Sequence, residues 1–98
     1  MNKQTQILEV SDPQKVLKLA HLLLGENTEI LLSTWKNKKY MVRNPNGKLI
    51  HFGDMRYEDY TKHKDIKRRE RFRQRNKYWE SSYFWTPAYL SWYLLWWY

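Results

Sequence analysis

The sequence predicts an α+β fold: a short N-terminal helix, a small antiparallel β-hairpin or sheet, then a basic helix and an aromatic C-terminal helix. Three observations lead there. Apolar residues recur at helical spacing behind Asp12-Pro13, β-type runs flank an Asn-Pro-Asn-Gly turn, and the second half of the chain segregates its cations from its aromatics. With 98 residues, the chain is read as a single small domain over 1–98, of a size that buries about two thirds of its unfolded surface. Hydrophobic residues make up 42% of it and there are only three Gly and three Pro, so the composition is that of a folding chain and not of a linker.

Residues 12–25 form the first predicted element. Asp12 supplies an N-cap oxygen, Pro13 fits the first helical position, and Val16, Leu17, Leu19, Ala20, Leu23 and Leu24 follow at helical intervals until Gly25. From Glu29 the pattern changes to runs of β-formers, and residues 29–53 are predicted to hold a hairpin closed at Asn44-Pro45-Asn46-Gly47, where glycine accepts the positive φ of a tight turn. In the middle run Tyr40 and Val42 share a core-like face, and Lys39, Met41 and Arg43 share a mixed one. Residues 57–77 are the basic helical region, with Asp65 placed to cap a helix reaching about Asn76. Residues 78–98 are the aromatic anchor. Within them 80–87 reads as a loop, and Pro87 opens a last helix that places Leu90, Tyr93, Leu94 and Trp97 on one side.

Residues 62–77 hold nine of the eighteen Lys and Arg and two of the ten acids, +7 of the net +8. Lys67, Arg71 and Arg75 fall on one helical stripe and Arg69, Arg73 and Lys77 on another. Each adjacent like-charge pair costs about 0.2 to 0.5 kcal/mol in an isolated helix, and Asp65 and Glu70 cannot offset all of it. An ordinary solvated face would interleave both signs; this segment does not, which makes Lys62, Lys64, Lys67, Arg68, Arg69, Arg71, Arg73, Arg75 and Lys77 candidate polyanion-binding residues. The complement is a nucleic-acid phosphate backbone or an acidic protein surface. Two apolar residues, Ile66 and Phe72, are too few to suggest base-specific reading by the helix itself.

Eleven of the seventeen aromatics follow within residues 78–98. Such rings stack on unpaired bases in single-strand binders, and they also build cores and interfaces. Clustering on a helical pattern favours the latter, so Trp79, Trp85, Trp92, Tyr93, Trp96 and Trp97 are predicted to contact a neighbouring protein. A helix with tryptophans around most of its circumference is expected to exceed what so small a domain can cover.

No catalytic pattern stands out. Cysteine is absent, and His21, His51 and His63 have no paired spacing, so neither a disulfide framework nor a zinc site is expected. Asp54, Glu58 and Asp59 with Lys62 resemble the parts of a Mg²⁺-dependent nuclease, but acids at helix starts are more simply caps and dipole partners. A non-enzymatic protein without cofactor or metal is expected. The first fifteen residues contain no apolar stretch of a secretory signal, and the aromatic end falls short of the ~20 apolar residues of a membrane span.

His51-Phe52-Gly53-Asp54, Tyr57-Glu58-Asp59-Tyr60-Thr61, His63-Lys64-Asp65 and Arg68-Arg69-Glu70-Arg71-Phe72 with Arg75, closed by Leu90-Ser91-Trp92-Tyr93-Leu94-Leu95-Trp96, form a string that resembles a family of small basic proteins of nucleocytoplasmic large DNA viruses. The aromatic 81–87 segment departs from that family's usually polar loop. The resemblance implies a viral origin and no particular activity. With the charge and aromatic patterns, it leads to the expectation of a virion component, a minor capsid or internal architectural protein that bridges other virion proteins. Such a protein would reside in the virion and, before assembly, in the host cytoplasm or viral factory. A nucleic-acid-binding protein without sequence specificity is the alternative.

Overall fold

The structure, a computed structural model, describes residues 2–97. The fold is α+β. Two helices, α1 (Lys3–Val10) and α2 (Pro13–Leu24), precede a three-stranded antiparallel sheet of β1 (Ile30–Leu32), β2 (Lys38–Arg43) and β3 (Leu49–Asp54), in spatial order β1-β2-β3. Two more helices follow, α3 (Tyr60–His63) and α4 (Ile66–Arg75), then a 3₁₀ turn at Lys77–Ser81. The last segment is α5 (Pro87–Leu90), which continues as a π-helical turn at Ser91–Leu95.

The helix starts follow capping chemistry. Asp12 accepts from the Lys15 amide with Pro13 in the first turn, as expected, and Thr86 caps α5 ahead of Pro87. The sequence reading missed α1. Asn2 caps it by accepting from the Thr5 amide at 3.0 Å, but its polar run KQTQ obscures the period, and Ile7 alone of its residues is fully buried. The predicted basic region is divided. Lys64 adopts a left-handed conformation with φ 57° that ends α3, and Asp65 restarts the chain as α4 by accepting from the Lys67 and Arg68 amides. Those two donors pull the Asp65 carboxyl below the usual carboxylate range.

The β2–β3 hairpin has the expected position, with Tyr40 opposite Phe52 and Val42 opposite Ile50. Its turn is held by Asn44 Oδ1, which accepts from the Asn46 and Lys48 amides, and Gly47 provides the positive φ of 85°. Tyr40, Val42, Ile50 and Phe52 join Val16, Leu19 and Ala20 of α2 and Leu90, Leu94 and Leu95 of the closing segment in one core. The closing segment is thus an internal element packed on the sheet.

The expectation for β2's second face needs correction. Lys39 and Met41 are buried too, so β2 is covered on both sides. Lys39 enters the interior because Asp59 meets it there at 2.9 Å and the Val10 carbonyl accepts a second of its protons. Thr61 donates to the other oxygen of Asp59 and accepts from the Asp12 amide. Its one hydroxyl proton being committed, Ser11 must donate to Thr61, and Tyr40 donates to Ser11 at 2.7 Å. The result is a directed chain of protons, Tyr40 to Ser11 to Thr61 to Asp59, that ties α1–α2, β2 and α3 together. Farther along the sheet, Lys3 Nζ donates to the carbonyls of Ser33, Trp35 and Lys38 at 2.8, 2.6 and 2.8 Å, which pins α1 to the β1–β2 connection.

Candidate polyanion-binding site

Helix α4 presents its cations in two directions, separated by about 100° per residue. On one side Arg69 and Arg73 donate to the same oxygen, the Trp97 carbonyl, at 3.1 and 2.7 Å. The Arg69 guanidinium lies 4.7 Å from the Tyr60 ring and that of Arg73 lies 4.3 Å from the Trp97 ring, while Glu70 pairs with both. Burial, with Arg69 alongside, pushes the Arg73 pKa down. These two residues fasten the helix to the end of the closing segment. The expected stripe of Arg69, Arg73 and Lys77 is therefore not a free one; Lys77 lies past the helix, exposed, in the 3₁₀ turn.

The other direction remains open. Lys67, Arg71 and Arg75 are exposed, with Arg68 half-buried beside them, and none of the four makes an ion pair among the described residues. Lys62, Lys64 and Lys77 are exposed around the two ends of this arc. Seven of the nine sequence-predicted cations thus face solvent or a cleft, and two, Arg69 and Arg73, are half-buried and engaged with the Trp97 carbonyl and Glu70.

The cleft, of about 970 Å³, lies between α4, the end of the β3 strand with the residues after it, and the closing segment. Arg68, Arg71 and Arg75 form its cationic wall, and Phe72, Trp79 and Trp96 contribute aromatic surface. Asp54, at the end of β3, and Glu58, in the loop after it, face them, and Asp54 is held below its ordinary pKa by a forked hydrogen bond from Arg56. Trp96 stacks flat on Phe72 with centroids 4.1 Å apart and planes 5° apart. Trp79 stands across Phe72 at 75° and across Tyr78 at 83°.

The other aromatic predictions divide in the same way. Trp92 is 3% exposed, so its expected role in contacting another protein is corrected: it packs inside. Trp85 and Tyr93 are half-buried, the latter donating to the Glu80 carbonyl, and Trp97 lies under Arg73. The domain covers more of the tryptophan-rich helix than expected because the three leucines of that helix enter the core and carry the rings inward. Tyr98, counted with the aromatic block, lies outside the described residues. The large rings most open to solvent in this region are Tyr78 at 71% and Tyr83 at 88%.

His63 closes one end of the arc. Its Nδ1 accepts from the Asp65 amide at 2.9 Å, so the proton resides on Nε2, which is buried without a hydrogen-bond partner. Burial and then the nearby Arg68 charge lower its pKa from the ordinary 6.5.

The nuclease arrangement does not assemble. Asp59 is committed to Lys39 and Thr61, Asp54 to Arg56, and Lys62 points to solvent. Among the described residues no three His, Cys, Asp or Glu side chains converge as a metal site requires, and no helix is long and apolar enough to cross a membrane. Sequence reasoning missed Lys39, whose neighbours in sequence are those of a surface lysine. It also missed the edge-to-face contact of Trp79 with Phe72, which both line the cleft; the i, i+7 spacing of that pair was the available signal.

No curated protein and no solved structure matches the chain. One protein-family pattern matches residues 28–76, which span the sheet, α3 and α4, including the cationic wall, and stop before the aromatic segment. With half of its length matched, the chain belongs to DUF5754, a family of unknown function.

Proposed function

We propose that the protein is a non-catalytic nucleic-acid-binding protein of a large DNA virus that grips phosphates through the open side of α4. One observation carries this reading: Lys67, Arg71, Arg75 and Arg68 form a continuous cationic arc for which the fold supplies no paired acid among the described residues. Like charges gathered on one surface repel one another unless an external anion is present. Phosphate contacts position a protein without reading sequence, which suits an architectural role inside a virion. The viral assignment rests on the motif string quoted above.

Binding to labelled nucleic acid between roughly 50 and 300 mM salt tests it. Three to six phosphate contacts give a log–log slope of about −3 to −5 on duplex DNA and about −2 to −4 on a single strand. Binding that ignores salt, or no binding at the lowest salt, would sink the proposal.

A second reading, a minor capsid protein held by its aromatic end, is supported by a different set of residues than the sequence suggested. Tyr78, Tyr83 and Phe84 are 71, 88 and 44% exposed, so the contact would be made by the 78–84 segment and not by Trp92. Stoichiometric recovery with virions that survives high salt would favour this reading.

A further inference from the structure

We propose that the cleft beside α4 takes a short stretch of single-stranded nucleic acid, with phosphates on Arg68, Arg71 and Arg75 and an unpaired base against Trp79. This rests on the phosphate-binding reading above and adds the strandedness of the ligand. The chemistry of the two surfaces dictates it. A duplex offers its phosphates but keeps its base faces stacked inside, so it could satisfy the arginines and would leave the rings unused. A single strand exposes charge and π-surface together.

The size of the cleft suits a strand and not a helix of nucleic acid. Arg68 and Arg75 are separated by about 10 Å of rise along α4, a length that about three successive phosphates of one strand cover at ~3.4 Å each, in a duplex as in a stacked single strand. The volume of about 970 Å³ lies at the upper end of sites that enclose small ligands. It has room for a few nucleotides' worth of groups and none for a double helix.

The rings are poised for such a guest. Phe72 and Trp96 already cover one another, whereas both neighbours of Trp79 stand nearly perpendicular to it and neither lies flat on it. Across the cleft, Asp54 and half-buried Glu58 outnumber half-buried Lys38, so that side would repel a phosphodiester and accept hydrogen bonds from base amino groups. A strand is thereby oriented with its backbone on the α4 wall and its bases toward the loop after β3.

The experiment compares a labelled twelve-nucleotide single strand, as DNA and as RNA, with its duplex at one fixed salt concentration. Trp79→Leu and Trp79→Phe are measured alongside the parent protein, and each is checked for an unchanged thermal transition. The expected result is tighter binding of the single strand and quenching of tryptophan emission by single strand only. Trp79→Leu should lose about tenfold in single-strand affinity, as for one stacked base, and Trp79→Phe should restore most of it. The DNA and RNA arms show which backbone is preferred.

Equal affinity for strand and duplex, without selective quenching, overturns the cleft assignment while the phosphate-binding reading stands. Absence of binding to all three ligands overturns both. The quenching comparison uses the unmodified protein, so it decides between strand and duplex even where a Trp79 variant fails to fold.

Discussion

Lys39 and Asp59 form an ion pair at 2.9 Å with 2% and 1% of their side chains exposed. Removing one member of a buried pair strands the other charge, at a cost of about 3 to 5 kcal/mol. Burial is the main influence lowering the Lys39 pKa, and Asp59 opposes it, so the lysine holds its charge through the aspartate. Asp59→Ala is expected to lower stability by that amount in urea unfolding. It should destabilise more than Asp54→Ala, whose partner Arg56 stays in water.

The two sides of α4 should separate in mutagenesis. Arg71→Ala with Arg75→Ala is expected to keep or slightly raise the melting temperature, since like-charge repulsion is relieved, and to make the salt slope shallower by about one unit for each phosphate that is no longer neutralised. Arg69→Ala with Arg73→Ala should instead lower the melting temperature, because both donors to the Trp97 carbonyl disappear. Loss of polyanion binding from the second pair alone, with the fold intact, would contradict the division.

Stability should fall as pH drops through the His63 range. The folded-state pKa of His63 lies below its unfolded value of 6.5, so the unfolded chain takes up the proton first. The associated stability is complete above the unfolded pKa and is lost as pH falls toward the folded one. Protonation also removes the Nδ1 acceptor of the Asp65 amide. Arg68 opposes the charge, while Glu58, Asp59 and Asp65 favour it. Melting curves between about pH 7.5 and 5 should show the decline, and His63→Gln should flatten it.

Gly53→Ala tests the contact between β3 and the closing segment. Gly53 has φ 84°, and an added Cβ would lie 2.9 Å from Lys39 Cβ and 3.1 Å from Leu95 Cδ1. Backbone strain alone costs about 1 to 3 kcal/mol, and the clash adds to it. A variant as stable as the parent in urea would show that the segment yields there.

Much of the framework was legible because it depends on neighbours in sequence. Asp12-Pro13, Asn44 to Gly47 and Asp65 all act on amides within four residues, so their chemistry is visible in short windows, and Pro87 marks the start of α5 in the same way, although its Thr86 cap was not read. Lys39 was not legible, since its partner is 20 residues away. The division of the α4 arginines was hidden for the same reason: the carbonyl that captures Arg69 and Arg73 is 28 and 24 residues downstream. The aromatic end looks too large to bury in the sequence because ring count says nothing of direction. Leu90, Leu94 and Leu95 set that direction by entering the core.

The cradle of three carbonyls around Lys3 bears on the order in which the chain acquires its structure. Its acceptors lie 30, 32 and 35 positions downstream of the ammonium, so this anchor of α1 waits until the β1–β2 connection has taken shape. A helix of eight residues is too short to persist alone in water, and closing so long a loop carries an entropic cost before any contact repays it. The first helix in sequence is therefore among the last to settle, and its amides should exchange with solvent sooner than those of β2.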